Sequence, residues 1–574
     1  MILKALYDYY NRSDDSVPFG YKYVQMSFVL VISKDGKLLG IEDYRDENGK
    51  GKECLVPNGD HKNGLTPMLF YDNPQYLLDY SDQEDTKKRT TAHRKHLSFV
   101  ERCKKVADKS QDGDLIAVCK FYENGELCKV SEDPLWNDIT KNPHVWLTFR
   151  IDGHAELVVS KSFLLDFNDD DNPTEGRCLV TGKRQEIVRI CTPTPIRGSQ
   201  SSAKLVSYND ESYCSYGKEQ GENATISKEA DFAFSSALKA LTAKGSRNKF
   251  EIGSRIYLFW ASSKDATSRN AEEALYTMFG ATEDDDPNKR IELACQVFKD
   301  IFSGKRPVSD EDKFYFLGIT APNPARIAVV YWNECKLKDF ARIILRHFDD
   351  MEIIDTRSDD KKRPYQGLHQ MMGAVTLSGK SSDVQPNLPD ATIKSILQGL
   401  PYPVSLVQAC IRRVRAEQDI SPYGSPCRVA ILKAYLNRIN DNNKKIEVML
   451  DKQNDNVGYL CGRLFATIEK IQEEANNIHN VRDRYLNAAS SAPSTVFATL
   501  LNLSQHHLEK LSQNRQIFFQ KTEQEIIGKL PADGFPSHLD LNDQGRFFVG
   551  YYHQRQDFFT SKEDKEETEK WNNL

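Results

Sequence analysis

Val24–Tyr44 reads VQMSFVLVISKDGKLLGIEDY. Two apolar runs flank the polar tetrapeptide KDGK, in which Asp35-Gly36 supplies residues that tolerate positive φ, so the stretch reads as a β-hairpin. Runs such as FVLVI at Phe28–Ile32 are strand-sized and fall well short of the 18 or more apolar residues that would span a bilayer. Working outward, the preceding MILKALYDYYNR has the spacing of an amphipathic helix and no small-residue cleavage site, so it is not read as a secretory signal. After the hairpin, ENGKGKECLVPNGDHKNGLTP is dense in Gly, Asn and Pro and reads as one long loop, of the kind that is functional or disordered in compact domains. NPQYLLDY and Thr86–Lys105 then read as helix.

Farther along, HVWLTFRIDG, ELVVSKS, IYLFWA and ARIAVVYW have strand patterns, and FAFSSALKAL a helical one. PIRGSQSSAKLVSYNDESYCSYGKEQGENATIS reads as an extended, ordered loop whose Tyr208, Tyr213 and Tyr216 are expected to pack on something. From about residue 386 the pattern becomes helical. LVQACIRRVRAEQ, CRVAILKAYLNRI, YLCGRLFATIEKIQEEA, TVFATLLNLSQHHLEKL and GRFFVGYYHQRQDFF all repeat apolar residues at three- and four-residue spacing. The expected fold class is therefore α+β. Residues 1–145 and 146–385 form mixed α/β amino-terminal and middle regions, followed by an antiparallel helical bundle over 386–574. A chain of 574 residues is too long for a single core, which fits several domains.

The net charge of -6 argues weakly against a nucleic-acid partner, but phosphates respond to local charge within about one Debye length, roughly 8–10 Å. TKKRTTAHRKHLSFVERCKK, from Thr86 to Lys105, holds ten Lys, Arg or His and a single acid, Glu101. Its ordinary reading is a solvated helix face; its functional reading is a phosphate-binding face through Lys87, Lys88, Arg89, Arg94, Lys95, Lys104 and Lys105. In ACIRRVRAEQ, Arg412 and Arg415 share a helix face with Arg413 beside it, a spacing suited to phosphate or, equally, to acidic neighbours on a bundle surface. The loop DHKNGLTPMLFYDN offers mixed donors and acceptors.

Signs of catalysis are weak. LSGKSS lacks the upstream glycine of a phosphate loop, no HExxH or GxSxG occurs, and adjacent His506-His507 diverge by about 100° on a helix. Asp169–Asp171 and Asp284–Asp286 read as loop acids rather than metal ligands. Twelve scattered cysteines without a CxxC pair fit reduced thiols in a cytoplasm. The expectation is a protein that is not an enzyme and needs no cofactor or metal.

Several segments carry a resemblance in order along the chain: MILKALYDYYNR, NGLTPMLFYDNPQYLLDY, CLVTGK with Cys178, PIRG, SYGKEQGENATIS, FYFLGITAPNPARIAVVYW, GLPYPVSLVQACIRRVRAE and GYYHQR. From residue 1 to about 560 the chain resembles the large subunit of the type I-C CRISPR Cascade. One departure is ITAPNPARIAVVYW, where the family leads us to expect a segment closer to LSPNAARISVRFW. The resemblance implies a surveillance complex in which a guide RNA reads the target by pairing. The large subunit would recognise a short adjacent motif on duplex DNA, help open the duplex, hold the displaced single strand and help recruit a helicase–nuclease. Its partners would be target DNA, the CRISPR RNA-bearing Cascade subunits and that helicase–nuclease, with no membrane. On this reading Lys62, Asn63, Thr66, Asn73 and Gln75 read the motif, the basic run holds the DNA backbone, and Arg412, Arg413 and Arg415 hold the displaced strand. The family also implies a small subunit made by internal initiation, for which Met449, the last methionine, would open residues 449–574. The rival reading is a scaffold that binds partner subunits and touches nucleic acid only incidentally.

Overall fold

In a computed structural model the described residues are 1–13, 16–59, 65–81, 86–142, 144–167, 174–208, 210–279, 287–357, 366–421, 425–439, 445–477 and 480–560. The fold is α+β, with a helical carboxy-terminal region. Contacts group the chain into two units, one of residues 13–192 and 207–236, the other of residues 1–12, 193–206 and 237–574. This grouping is not three consecutive blocks: residues 1–12, which hold the first helix, and the strand-free segment 193–206 group with residues 237–574.

The chain opens with α1 (Ile2–Arg12), which belongs to the larger unit. The smaller unit begins with β1 (Tyr21–Ile32), β2 (Leu38–Asp43) and β3 (Lys52–Pro57). The hairpin is as expected: β1 and β2 pair antiparallel, and Gly36 turns the chain at φ +78. β3 lies within the stretch expected to be one long loop; it pairs with the first half of β1, beside the part that β2 occupies. β4 (Tyr71–Asp72), α2 (Pro74–Leu77), α3 (Thr86–Ser110), α4 (Gly113–Glu123) and α5 (Trp136–Lys141) lead to β5 (Trp146–Ile151). β5 pairs parallel with β1 and antiparallel with β4, so this sheet continues past residue 145. The register of β1 against β5 slips between Met26 and Phe28. That extra residue changes the phase of the strand. Val24, Met26 and Val29 face one core, while Phe28, Leu30 and Ile32 face another with Phe99, Val118, Phe121 and Phe149.

ELVVSKS is not a strand. A turn at Gly153 follows β5, only Leu157 bridges back to Arg150, and Val158–Ser160 coils into a 3₁₀ turn with both valines buried. β6 (Glu175–Arg177) and β7 (Arg184–Glu186) form a small ribbon, and α6 (Lys228–Thr242) follows.

The larger unit is built on a four-stranded antiparallel sheet in the order β11-β10-β9-β8. Its strands are β8 (Lys249–Ile252), β9 (Arg255–Ala261), β10 (Lys313–Asn323) and β11 (Arg326–Lys336), with α7 (Ala266–Phe279) and α8 (Pro287–Phe302) between β9 and β10. Period-two alternation sorts the aromatic residues by face. Phe259, Phe314 and Phe316 join the core with α7–α8, whereas Trp260, Tyr315 and Trp332 cluster on the other face, where Tyr9 of α1 meets Trp260 edge-on at 6.2 Å.

Helices then dominate: α9 (Leu337–Met351), α10 (Leu368–Ala374), α11 (Asn387–Gln398), α12 (Val404–Glu417), α13 (Cys427–Ile439), α14 (Val457–Asn476), α15 (Asn480–Ala489), α16 (Phe497–Leu508), α17 (Gln513–Ile527) and α18 (Leu541–Phe559). The bundle was expected to be antiparallel throughout, but α14 and α18 run parallel. Partners rise together along both helices, from Asn456–Asp543 (3.2 Å) to Arg463–Gln554 (3.0 Å) to Glu473–Arg555 (3.4 Å). Three intervening helices return the chain to its starting end, so the short-loop rule for antiparallel neighbours does not apply. Glycines permit the approach: a Cβ at Gly458 would lie 2.5 Å from the Asp543 carbonyl oxygen, and Cβ atoms at Gly462 and Gly550 would overlap the Phe547 and Tyr459 carbonyl oxygens.

Candidate nucleic-acid interface

α3 explains how the chain concentrates its positive charge. Ala92, His96, Phe99, Cys103 and Val106 recur at three- and four-residue spacing and are buried against the smaller unit's core. The same periodicity turns Lys87, Lys88, Arg89, Arg94, Lys104 and Lys105 outward, where all six are exposed. Glu101 and Asp108 share the exposed surface, and Lys104 is paired with Glu123 at 3.0 Å. The cationic face is therefore concentrated toward the amino-terminal half of the helix.

α3 is fastened to the segment expected to read the motif. Lys95 donates to Gln75 Oε1 at 2.8 Å and lies 5.2 Å from the Tyr76 ring. Arg102 donates to the Pro67 carbonyl, and His96 Nδ1 donates to the Tyr76 carbonyl at 2.8 Å. Burial, partly offset by that carbonyl, lowers the His96 pKa, which keeps the ring neutral at neutral pH. His93 meets Asp79 at 2.8 Å.

Asn73 has a local role. Its Oδ1 accepts from Gln75 N–H at 3.0 Å and caps α2, whose first residue is Pro74. Gln75 Oε1 is engaged by Lys95, and Thr66 is half-exposed. Lys62 and Asn63 lie outside the described residues, as do Asp169–Asp171 and Asp284–Asp286. Lys22, which the sequence did not single out, donates to the Gly59 carbonyl at 2.7 Å and lies 5.7 Å from the Trp146 ring, anchoring the chain just before residue 60. Arg102 was also passed over, because its bracing role depends on a carbonyl far away in sequence.

The α12 arginines differ from one another. Arg412 is exposed. Arg413 Nε donates to Glu417 Oε1 at 3.0 Å, and Glu417 also meets Arg428 at 2.6 Å. Burial raises the Glu417 pKa, but the two guanidiniums outweigh it and leave the carboxyl below its usual range. Arg415 is half-buried, with Nε and Nη2 enclosed and without hydrogen-bond partners, and burial lowers its pKa. The three thus present one open cation, one in an ion pair and one partly enclosed.

Among the described residues no group of three or more His, Cys, Asp or Glu could hold a metal ion, and no helix is long and apolar enough to cross a membrane. All twelve cysteines are free thiols. Cys178 Sγ accepts from Ser227 N–H at 3.3 Å and Val180 N–H at 3.4 Å. Burial raises its pKa, but donors from Ser227 and Thr181 more than offset this and bring it to about 7.

No curated protein matches the chain. Residues 6–559 match the model of the family described as CRISPR-associated protein (Cas_Csd1). The match covers nearly the whole chain and includes α3, the segment it braces and the parallel helix pair. The chain therefore belongs to the CRISPR-associated Cas_Csd1 family, the large subunit of the type I-C Cascade.

Proposed function

We propose that this Cascade subunit recognises the protospacer-adjacent motif on duplex DNA, helps open the duplex and hold the R-loop, and helps recruit the helicase–nuclease, without catalysing a reaction itself. The observation that carries this reading is the exposed cationic face of α3, fixed by Lys95 and Arg102 to the 66–75 segment. Lys88, Arg89, Arg94 and Lys105 take backbone phosphates, which set position without reading sequence. Residues at the edge of the neighbouring segment take the base edges. Once the first pairs open, guide pairing replaces duplex pairing at nearly balanced cost, so a few protein contacts tip the exchange. Arg412 is the best placed of the α12 arginines to meet a displaced strand.

The test is a duplex-binding titration at several salt concentrations, with the correct and a scrambled motif. Lys88→Ala/Arg94→Ala/Lys105→Ala should weaken both duplexes alike and flatten the slope of log K against log salt by about 2.7, the value for three lost phosphate contacts. An unchanged slope refutes the assignment and favours the scaffold reading. We also propose that Met449 opens a separate small subunit containing all of α14–α18. An immunoblot against the carboxy-terminal helices should show a short product that Met449→Leu abolishes; its persistence refutes the start site.

A further inference from the structure

The lobe formed by residues 175–190, which include the β6–β7 ribbon, and residues 210–227 buries Val180, Ile187 and Ile226 but leaves four large apolar side chains in solvent. Tyr216 is 99% exposed, Leu179 62%, Tyr213 45% and Ile190 43%. The sequence predicted packed tyrosines here, and the structure holds Tyr216 in the open instead. The exposure is built in. Tyr216 and Gly217 both take positive φ, at +56 and +69, a conformation that is costly for a tyrosine. The loop around them is held on both sides. Ser215 N–H donates to Asn223 Oδ1 at 3.1 Å, and Asn223 Nδ2 donates to the Lys218 carbonyl at 3.2 Å and the Gln220 carbonyl at 3.1 Å. Gly221 N–H donates to the Arg189 carbonyl at 3.0 Å, and a Cβ at Gly221 would overlap the Val188 carbonyl oxygen. Leu179 N–H donates to the Thr225 carbonyl at 2.8 Å, which ties the ribbon's turn to the same loop.

We infer that this lobe is a docking knob for a protein of basic surface, an RNA-bearing subunit of the same Cascade, with Tyr216 inserted in a pocket of that partner. The inference rests on the family membership above. Two features favour protein over nucleic acid. Leu179 and Ile190 are aliphatic and offer no face for base stacking, whereas aliphatic and tyrosine side chains together are what protein interfaces bury. The 210–223 loop that presents Tyr216 also carries Asp210, Glu211, Glu219 and Glu222 against Lys218, while the exposed cations Arg177, Lys183, Arg184 and Arg189 belong to the ribbon side. The Tyr216 end of the lobe is therefore the acidic one and complements a subunit that must be cationic to hold RNA. A rigid aromatic with few rotamers to lose is the usual energetic centre of such contacts.

The test uses the full chain and the purified RNA-bearing backbone of its own Cascade, assembled without this subunit and immobilised. Tyr216→Ala should weaken association at least about tenfold, as for an interface hot spot, while Tyr216→Phe stays close to wild type. Because Tyr216 is fully exposed, neither variant should shift the melting curve. If Tyr216→Ala binds the backbone like wild type, the inference is overturned. If it loses affinity for a single-stranded oligothymidine instead, the knob is a stacking platform and the inference is again overturned. If wild type does not bind the backbone at all, the assembly reading itself fails, and this result is distinct from the other two.

Discussion

Gly462→Ala isolates the contact on which the helical region closes. In an ordinary helix interior the change is favourable by about 1 kcal/mol. Here a methyl group at 462 overlaps the Phe547 carbonyl oxygen and falls 2.8 Å from both the Phe547 carbonyl carbon and the Tyr551 nitrogen. Ordinary contact needs about 3.5–4.0 Å, so α14 and α18 must part by roughly 1 Å. Parting them stretches hydrogen bonds made across the pair: Tyr459 with His553 at 2.9 Å, Arg463 with Gln554 at 3.0 Å and Tyr551 with Glu469 at 2.6 Å. Overpacking of this kind costs about 1–3 kcal/mol, and each strained bond to a charged group adds of order 1 kcal/mol. The expected net effect is a loss of about 3 kcal/mol. Hydrogen exchange of the 457–476 amides, followed by mass spectrometry across a urea series, reads this locally. Gly113→Ala in α4 is the control, since a Cβ there meets nothing within 4 Å. Equal or slower exchange of α14 in Gly462→Ala would refute the close-approach argument.

Two further expectations concern pH and Asn73. Burial, helped by the nearby charges of Arg438 and Lys433, pushes buried His347 and His553 down to about 3. Unfolded histidines bind protons near pH 6.5 that the folded ones refuse, so the stability present above that value is lost as pH falls toward 3, by up to about 1.4 kcal/mol per pH unit per histidine. Urea midpoints across this window should show it, with a shallower dependence in His347→Gln; an identical dependence in the variant counts against the assignment. Asn73→Ala should cost about 0.5–2 kcal/mol through loss of the α2 cap, whereas Asn73→Asp keeps the capping acceptor. If the Asn73 amide donors read a base, Asn73→Asp loses motif discrimination without losing thermal stability; retained discrimination removes Asn73 from the reading set.

Local chemistry was the legible part. The Asp35-Gly36 hairpin, the helical character of Thr86–Lys105 and the carboxy-terminal helices all follow from turn residues and three-to-four periodicity, although α3 continues past Lys105 to Ser110. The Asn73 cap was also within reach, because Asn-Pro is a common opening to a helix. What escaped depends on partners distant in sequence. β3 exists because the first half of β1 is open to a second partner, a fact outside the loop-like sequence around Lys52–Pro57. The parallel α14–α18 pair depends on where three intervening helices carry the chain. Within the candidate interface, the exposed cations of α3 were readable from charge and period. The bracing by Lys95 and Arg102, and the differing surroundings of Arg413 and Arg415, depend on tertiary contacts.

The parallel course of α14 and α18 also constrains the order of events during synthesis. The glycine-lined groove of α14 leaves the ribosome well before the helix that fills it, and residues 477–540 must emerge and reverse course first. Until then its bare backbone is open to any passing helix. The nascent chain therefore depends on its final helix to protect an earlier one, and a ribosome stalled before residue 541 leaves that groove vacant and prone to mispairing.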